Sequence, residues 1–415
     1  MSDLYRENAN LRRILEVTRY LAVTTDLDVL LGTIVEAACE VLVCERATIF
    51  LYDAKTKELY SRVAKGVDAI RFPADRGIAG VAAIQRTCVN VPNAYADPRF
   101  NREVDRKTGF QTRNLLTFPL ENINGDLIGV LQALNKVSAP FDDDDEALAR
   151  VLSAQAGVAL DRARLLEEYA EKQRMARDLD LAREIQRAQF PKSDPSVDGY
   201  EVAGWNRPAD ETGGDAFDFI PLEDGRLAFF LADATGHGIG PALIVAECRS
   251  LMRAMLSVTS DLRRIANRVN ALLLPDMAEE RFVTAILGVL DPRTNRVEYI
   301  SGGQAPLLFV CDGRVERRIA NALPFGIIDD FDAPPPDAFE FAPGSMLALL
   351  TDGFYEALSP AEQQFGEERV SEFLSHPSTN PLPCLIDGLQ SAVKSHQGTH
   401  VQSDDLTAIL IRRKA

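Results

Sequence analysis

Aspartates next to glycine or to another aspartate recur in the second half of the chain and could bind metal ions. They occur in four segments: Gly213-Gly214-Asp215 with Asp218, Asp233 to Gly238, Thr351-Asp352-Gly353, and Asp404-Asp405. Three segments adjoin apolar runs that predict β-strands, and strand ends that are distant in sequence can meet in space. Carboxylates gathered in this way repel one another unless cations lie between them. All-oxygen ligands favour magnesium or manganese over zinc. The segments therefore predict a site for divalent cations.

A single aspartate in such a position has a simpler explanation. Asp233 precedes a glycine-rich turn and Asp404 follows a polar loop, so each taken alone fits a helix cap or a turn as well as a metal ligand. The joint occurrence of four segments favours the metal interpretation. No cysteine lies in an anion-binding loop, which disfavours a cysteine nucleophile.

Length and composition limit the classes of protein to consider. A chain of 415 residues with 46% apolar and 26% charged residues indicates two or three ordinary globular domains. The net charge of -17 argues against nucleic acid or an anionic membrane as the main partner. The polar N-terminal segment does not resemble a signal peptide, and no apolar run approaches the ~18 residues of a membrane span. We therefore expect a cytoplasmic protein, and the six scattered cysteines suit reduced thiols.

The elements that must position these residues begin with an N-terminal α+β domain, predicted over residues 1–160. Apolar spacing predicts a helix over Leu4 to Leu21 and another over Leu27 to Val43. Alternating patterns then predict two hairpins. Their strands are Ala47 to Tyr52 with Glu58 to Ala64, and Leu115 to Leu120 with Leu127 to Leu134. Helices around a small antiparallel sheet are the expected architecture.

One motif in this region consists of Asn135-Lys136, Phe141 and Asp145-Glu146. It resembles the signature of cyclic-nucleotide-binding GAF domains. The resemblance covers roughly residues 15 to 160 and implies a sensor of a small ligand, such as a cyclic nucleotide. Lys136 and Asp145 also fit an ion pair that fastens the last strand to the next helix, with or without a link to ligand binding. Both interpretations stay open.

A long helical pattern follows from Asp142 to Phe190 and includes the predicted linker, residues 161–192. Four of five positions in one seven-residue repeat are apolar: Val151, Val158, Leu165, Lys172 and Leu179. This predicts a weak coiled-coil seam and a homodimer through the first domain and the linker. A shift of such a helix could pass a signal to the next domain. A stiff spacer with a solvated charged face is the alternative.

The second domain is predicted over residues 193–415, after Pro191 and Pro195. Short strands are predicted over 200–205, 227–232, 282–290, 296–301, 306–310, 314–319, 346–351 and 406–411, and helices over 241–256, 262–273, 362–374 and 382–395. Many antiparallel strands with helices outside predict a layered β-sandwich.

From about Arg183 onward the chain resembles the SpoIIE/RsbU branch of the PPM-type metal-dependent serine/threonine phosphatases. Glu184-Ile185-Gln186 with Phe190-Pro191 is similar to the helix that precedes that domain, and the four aspartate segments are similar to its metal motifs, in the same order. The resemblance implies a PPM-type β-sandwich that binds two Mn²⁺ or Mg²⁺ ions. It also implies that water held between the ions attacks a phosphoserine or phosphothreonine. The implied substrate is a phosphorylated partner protein of the STAS (anti-anti-sigma) type.

The resemblance implies a role for each matching position. Asp215 and Asp233 would bind the metal pair, with Asp233 bridging, the Ala234 carbonyl would bind one ion, and Asp352 and Asp404 would complete the other. Asp218 and Asp405 would orient water or ligands. Gly214 and Gly353, with Gly213, would allow close approach of the backbone. A binding scaffold without turnover is the rival hypothesis, which the intact acidic set disfavours.

Two further positions lie in or near these motifs. His237 lies between two glycines and could assist proton transfer, although positioning or solvent contact is the better interpretation. Gln304, in Gly302-Gly303-Gln304, stands where relatives usually have a histidine. Any substrate contact made by that histidine is therefore in doubt.

Overall fold

The computed structural model describes residues 18–21, 23–62, 70–277, 281–304, 306–376 and 379–415. The chain divides into two compact units, Met1–Met175 and Ala176–Ala415. The predicted helix from Leu4 to Leu21 lies mostly outside the described residues. No helix in the described part of the chain has the length and apolar content needed to span a membrane.

The first unit is built on an antiparallel sheet, as predicted. Its described strands have the order β3-β2-β1-β6-β5-β4. The elements are α1 (Leu27–Leu42), β1 (Cys44–Asp53), β2 (Glu58–Tyr60), β3 (Arg71–Pro73), α2 (Gly77–Gln85), β4 (Val89–Val91), α3 (Arg102–Thr108), β5 (Leu115–Glu121) and β6 (Leu127–Lys136). Both predicted hairpins and the helix beginning at Leu27 are confirmed. The short elements between β2 and β5 escaped prediction because runs of three residues carry too little periodicity.

Helix α4 (Asp143–Gln189) confirms the long helical prediction. One face of its first part is buried in the core of the first unit, through Ala149, Leu152, Ala156 and Leu160. The same core takes up the buried face of α1, whose first turn is capped by the Asp26 carboxylate. The apolar positions of the predicted seam, such as Val151 and Val158, lie on a different, exposed face of this helix.

The second unit contains two antiparallel sheets in the described residues. One sheet has the strand order β14-β11-β10-β9-β8 and the other β13-β12-β15-β16-β7. Their strands are β7 (Tyr200–Arg207), β8 (Asp215–Pro221), β9 (Leu227–Ala234), β10 (Val283–Asp291), β11 (Arg296–Gly302), β12 (Leu307–Cys311), β13 (Arg314–Arg318), β14 (Asp337–Glu340), β15 (Met346–Leu350) and β16 (Leu406–Arg413). The helices are α5 (Ile239–Leu256), α6 (Leu262–Leu273), α7 (Gly353–Glu356), α8 (Gly366–Ser375) and α9 (Leu382–Gln397).

Strand alternation sorts these side chains into layers. On β9, Phe229 and Leu231 face the other sheet and pack against residues such as Leu347 and Ile409. The intervening Phe230 and Ala232 pack under α5 and α6, and α8 and α9 cover the outer face of the second sheet. The sheets therefore form a sandwich with helices on both outer faces, which confirms the predicted fold class.

Two strands of this sandwich were not predicted. Strand β8 was missed because Asp215 and Asp218 interrupt its apolar pattern, and both prove to be buried. Strand β14 was missed because it is four residues long and half exposed. The omission of β8 matters because this strand carries the first predicted metal ligand.

Candidate active site

Two predicted ligands lie side by side on neighbouring strands. Asp215 opens β8 and pairs in register with Asp233 near the end of β9. Asp215 shares the face of Phe217, and Asp233 shares the face of Leu231, so both carboxyl groups are directed between the sheets. Asp215 is 2% exposed. Burial raises its pKa well above the ordinary value, and the neighbouring Asp233 and Asp405 carboxylates raise it further.

The other two predicted ligands approach from the second sheet. Asp352 follows β15 and caps α7, where its carbonyl accepts a hydrogen bond from the Tyr355 N–H at 2.7 Å. Asp404 lies just before β16. Burial raises the pKa of Asp233 to about 7, with contributions from the charges of Asp352 and Asp404. The pKa values of Asp352 and Asp404 are raised as well, chiefly by burial. The structure therefore brings all four predicted ligands into one electrostatically coupled cluster.

A network of hydroxyl groups holds Asp215. The Thr351 hydroxyl donates to Asp215 Oδ2 at 2.9 Å, and the Thr407 hydroxyl donates to the same oxygen. Asn206 in turn donates to Thr407 Oγ1 at 2.7 Å. Both threonines are fully buried. These bonds stabilise the charged form of Asp215 and fix its orientation across the gap between the sheets.

Asp405 lies beside the cluster and receives backbone hydrogen bonds. Its Oδ1 accepts from the Ala209 N–H at 2.7 Å, and its Oδ2 accepts from the Asp215 N–H at 3.2 Å. A Cβ at Gly213 would lie 2.2 Å from Asp405 Oδ2, and a Cβ at Gly353 would lie 2.1 Å from the Asp405 carbonyl oxygen. These glycines therefore make room for Asp405, a more specific reason than the predicted approach of backbone to metal.

Gly214 has a different neighbour. A Cβ there would lie 2.8 Å from the Ala234 carbonyl oxygen, which is the backbone oxygen predicted to bind a metal. The Gly214 carbonyl also accepts a hydrogen bond from the Ala234 N–H at 3.0 Å. The absence of a side chain at Gly214 thus leaves space beside this oxygen, in keeping with the predicted role.

Asp218 occupies the opposite face of β8. It shares the helix-facing side with Ala216, and its carboxylate forms ion pairs with Arg249, at 2.8 Å, and Arg253 of α5. Asp218 is 1% exposed, so the arginines compensate a buried charge and fasten α5 to the sheet. No hydrogen bond described for it reaches the four-aspartate cluster, and the predicted role in orienting water or ligands remains only a prediction.

His237 and Gln304 differ in their surroundings. The side chain of His237 is 83% exposed, with Nδ1 at 3.1 Å from Asp210 Oδ2. Gln304 is 7% exposed and points inward, where Thr284 Oγ1 donates to its Oε1 at 2.7 Å. Solvent contact therefore describes His237, whereas Gln304 is engaged inside the domain.

The end of α4 holds the loop that leads to Asp215. Gln186 Nε2 donates to the Gly213 carbonyl at 2.6 Å, and Gln186 Oε1 accepts from the Gly213 N–H at 3.0 Å. Arg183 Nε donates to the Glu211 carbonyl at 3.0 Å. A reciprocal amide contact of this kind fixes the backbone one residue before the Gly214-Asp215 step.

The motif in the first unit forms a compact polar cluster. Lys136 pairs with Asp145, whose carboxylate also accepts from the Asp142 N–H at 2.9 Å. Asn135, fully buried, donates from Nδ2 to Glu45 and to the Gln111 carbonyl. Phe141 lies in the core, and Glu146 accepts from Asn90 Nδ2 at 3.2 Å. The cluster fastens β6 to α4, and the Lys136–Asp145 ion pair that was predicted to do so is present. A link to ligand binding stays open.

The acidic cluster suits hard divalent cations that take only a few of their ligands from the protein. Among the described residues, no three carboxylate, imidazole or thiol groups stand close enough to enclose an ion by themselves. Magnesium characteristically retains several waters and takes only one or two carboxylates together with substrate phosphate. Buried carboxylates whose pKa values are raised by burial and by mutual repulsion are the donor set that such a partly hydrated ion would stabilise.

Sequence reasoning missed the residues that hold the ligands. Thr351 was seen in its motif but given no role, and Thr407 and Asn206 were not identified. Strand alternation offered a signal for Thr407, because it lies two residues after Asp405, which directly precedes β16, and alternation directs residues at this spacing to the same side. Gln186, like Thr351, was seen in its motif but given no role, and Asn206 had no signal, since its partner Thr407 is distant in sequence.

Comparisons with known proteins agree with the order of the two units. Residues 26–160 match the family model of the GAF domain, and residues 223–414 match the family model described as Stage II sporulation protein E (SpoIIE). The second match begins after Asp215 and includes Asp233, Asp352 and Asp404.

Curated relatives are similar over part of their length. The probable 3',5'-cyclic phosphodiesterase pde-5 of Caenorhabditis elegans is 33% identical over 156 residues, which are 34% of this chain and 21% of that protein. Protein IcfG of Synechocystis sp. is 25% identical over 263 residues, or 57% of this chain and 41% of that protein. The chain thus spans less than half the length of these relatives.

A solved structure is similar to the second unit in fold. The SiaA-PP2C domain of Pseudomonas aeruginosa has a TM-score of 0.51 and 25% sequence identity. The similarity covers 59% of this chain and 98% of that domain.

Proposed function

We propose that this chain, which carries a GAF domain followed by a SpoIIE domain of the PP2C fold, is a metal-dependent protein phosphatase that removes phosphate from serine or threonine. The observation that carries the proposal is the convergence of Asp215, Asp233, Asp352 and Asp404 from two sheets into one cluster. Residues of such different sequence position have no structural reason to share a repulsive site unless cations bind there.

The residues of the cluster would bind metal, and their neighbours would position them. Asp233 and Asp215 on one sheet, and Asp352 and Asp404 beside the other, would hold two Mn²⁺ or Mg²⁺ ions, with the Ala234 carbonyl as a further ligand. When bound, such ions would activate water for in-line attack and neutralise phosphoryl charge. Thr351, Thr407 and Asp405 keep Asp215 and its backbone in place, which reduces the reorganisation needed when substrate binds.

Phosphate release tests this proposal directly. The chain should release phosphate from a phosphoserine protein in the presence of Mn²⁺ and should stop when the metal is removed by a chelator. Asp352→Asn should show little release under either condition. Equal release with and without metal, or by both proteins, would contradict the proposal, and absence of Mn²⁺ binding at millimolar concentration would favour a binding scaffold.

We infer that the physiological substrate is a phosphorylated protein of the STAS (anti-anti-sigma) type. The match to the SpoIIE family supports this inference. The kcat/KM for phosphoproteins of this type should be higher than the kcat/KM for unrelated phosphoserine proteins. The GAF domain is proposed to bind a small ligand such as a cyclic nucleotide, and a rise in melting temperature on adding cyclic nucleotides checks that inference.

We propose that α4 passes a signal to the active site. Gln186 of this helix forms two hydrogen bonds with the backbone of Gly213, two residues before Asp215. A rotation of the helix would therefore move the loop that leads to a proposed metal ligand. The stiff-spacer alternative predicts no such sensitivity.

Insertions between Met175 and Ala176 separate the two alternatives. Three residues rotate the following part of a helix by about 300°, whereas seven residues return it to within about 20° of its face. If α4 is a lever, the three-residue insertion should change phosphate release several-fold and the seven-residue insertion should largely preserve it. Equal activities of both insertion variants and the wild type would support a passive spacer.

An exposed apolar stripe on α4 supports the proposed homodimer. Val151, Val158 and Leu165 are 45%, 46% and 53% exposed, although they are apolar and repeat every seven residues. Ile123, 88% exposed, lies beside a cavity of ≈ 290 Å³ that Val158 and Leu165 also line. A second copy related by a two-fold axis would place the same stripe opposite itself.

Charge placed in this stripe should therefore prevent dimerisation. We expect Val158→Lys to shift the mass measured by light scattering from dimer to monomer, because a desolvated ammonium group opposes burial of the stripe. Ile84→Lys, at a 63% exposed position on α2, is the matched control and should remain dimeric. A monomeric wild type would refute the homodimer.

A further inference from the structure

The side chain of Gln304 spans the gap between the two sheets of the SpoIIE domain. Its Oε1 accepts from Thr284 Oγ1 at 2.7 Å, and its Nε2 donates to the Leu350 carbonyl at 3.4 Å. The Gln304 carbonyl accepts a further bond from the Ser301 hydroxyl. With 7% of its surface exposed, Gln304 is committed to the protein interior and is poorly placed to meet a protein substrate.

Both partners of this amide are adjacent to the acidic cluster. Thr284 pairs in register with Asp233, so Asp215, Asp233 and Thr284 form a row across β8, β9 and β10 on the face between the sheets. Leu350 ends β15, one residue before Thr351, which donates to Asp215, and two residues before Asp352. The amide therefore ties the strand that neighbours one predicted ligand to the strand that leads to another.

We propose that Gln304 is a positioning residue that fixes the separation between Asp233 on the first sheet and Asp352 beside the second, and thereby the affinity for divalent cations. The proposal rests on the proposed function. An amide suits this task because it accepts from a hydroxyl on one side and donates to a carbonyl on the other. Loss of the amide would leave the Thr284 hydroxyl and the Leu350 carbonyl without this partner in a buried site. Both groups would then have to move to regain a hydrogen bond.

Two variants break the tie from opposite ends. Gln304→Leu removes both hydrogen bonds at similar side-chain size, and Thr284→Val removes only the hydroxyl while keeping the shape. Each should weaken Mn²⁺ binding, measured by titration calorimetry without substrate, by about 10- to 100-fold, the range typical of residues that orient metal ligands. Because Thr284 acts through its contact with Gln304, the double variant should bind about as weakly as Gln304→Leu alone.

Matched controls separate positioning from general stability. Thr284→Ser keeps the hydroxyl and should retain wild-type Mn²⁺ affinity. Gln390→Leu replaces a partly buried amide of α9, in the outer helix layer, and should also leave Mn²⁺ affinity unchanged. Melting temperatures of the metal-free proteins report folding, and Thr284→Val keeps the test available if Gln304→Leu fails to fold.

The outcomes distinguish this inference from the function on which it rests. Wild-type Mn²⁺ affinity in Gln304→Leu and Thr284→Val, with lowered melting temperatures, would show that Gln304 only packs the core and would overturn the proposal. A wild-type protein that binds no Mn²⁺ would instead refute the metal site itself, and the role of Gln304 with it.

Discussion

Asp233→Asn is expected to lower phosphate release by about 10³-fold, because several kcal/mol of metal-dependent stabilisation correspond to roughly that factor in rate. Asp233 pairs in register with Asp215 on the adjacent strand, and its pKa is raised by burial and by the charges of Asp352 and Asp404. The asparagine side chain has nearly the same size, so the fold should persist while the charge proposed to bridge the two ions is lost. Steady-state phosphate release at saturating Mn²⁺ measures the effect.

The hairpin that carries Asp233 also supplies its control. Asp224 lies in the turn between β8 and β9, at the far end of the same hairpin, with its side chain 44% exposed and paired with Arg226. Asp224→Asn removes the same charge from the same hairpin and should leave kcat within about twofold, as is usual for exposed substitutions. If Asp233→Asn and Asp224→Asn are equally active, the acidic cluster is not the catalytic site.

Without metal, Asp233→Asn should be more stable than the wild type near neutral pH. Burial and neighbouring charges raise the pKa of Asp233 to about 7, and the pKa of Asp215 is raised as well. Between about pH 4 and pH 7 the folded protein therefore retains protons that the unfolded chain has released, so the free energy of unfolding falls as pH rises. At about 1.4 kcal/mol for each unit of pKa shift, Asp233 contributes a few kcal/mol to this loss.

Melting temperatures in chelator test the expectation. Wild type should lose stability from pH 5 to pH 7.5 more steeply than Asp233→Asn, and Mn²⁺ at pH 7.5 should restore the wild type more than the variant, since cations bind the folded carboxylates preferentially. This pH range isolates the groups of raised pKa, because carboxylates such as Asp97 and Asp291, whose pKa values are lowered, stay ionised throughout it and add no pH dependence to either curve. Indistinguishable pH profiles of the two metal-free proteins would mean that Asp233 does not experience the repulsion described here.

Much of the architecture was predictable because it depends on local pattern. The helix at Leu27 and the long helix α4 have apolar periodicity, whereas the strands that carry Asp233 and precede Asp352 are short continuous apolar runs. Strand β8 escaped prediction because Asp215 and Asp218 sit where apolar residues are expected. Their burial depends on partners far along the chain: Thr351 and Thr407 for one, Arg249 and Arg253 for the other.

The candidate aspartates could be identified without a structure, since residue type, spacing and order along the chain are local properties. Packing places Asp218 against the helix layer and Asp215 in the cluster, because opposite faces of a strand are distinguished only by what packs on each. Packing also places Gln304 between the sheets and brings Gln186 into hydrogen-bond contact with Gly213. Hydrogen bonds between such distant residues depend on how sheets and helices pack, which no local pattern records.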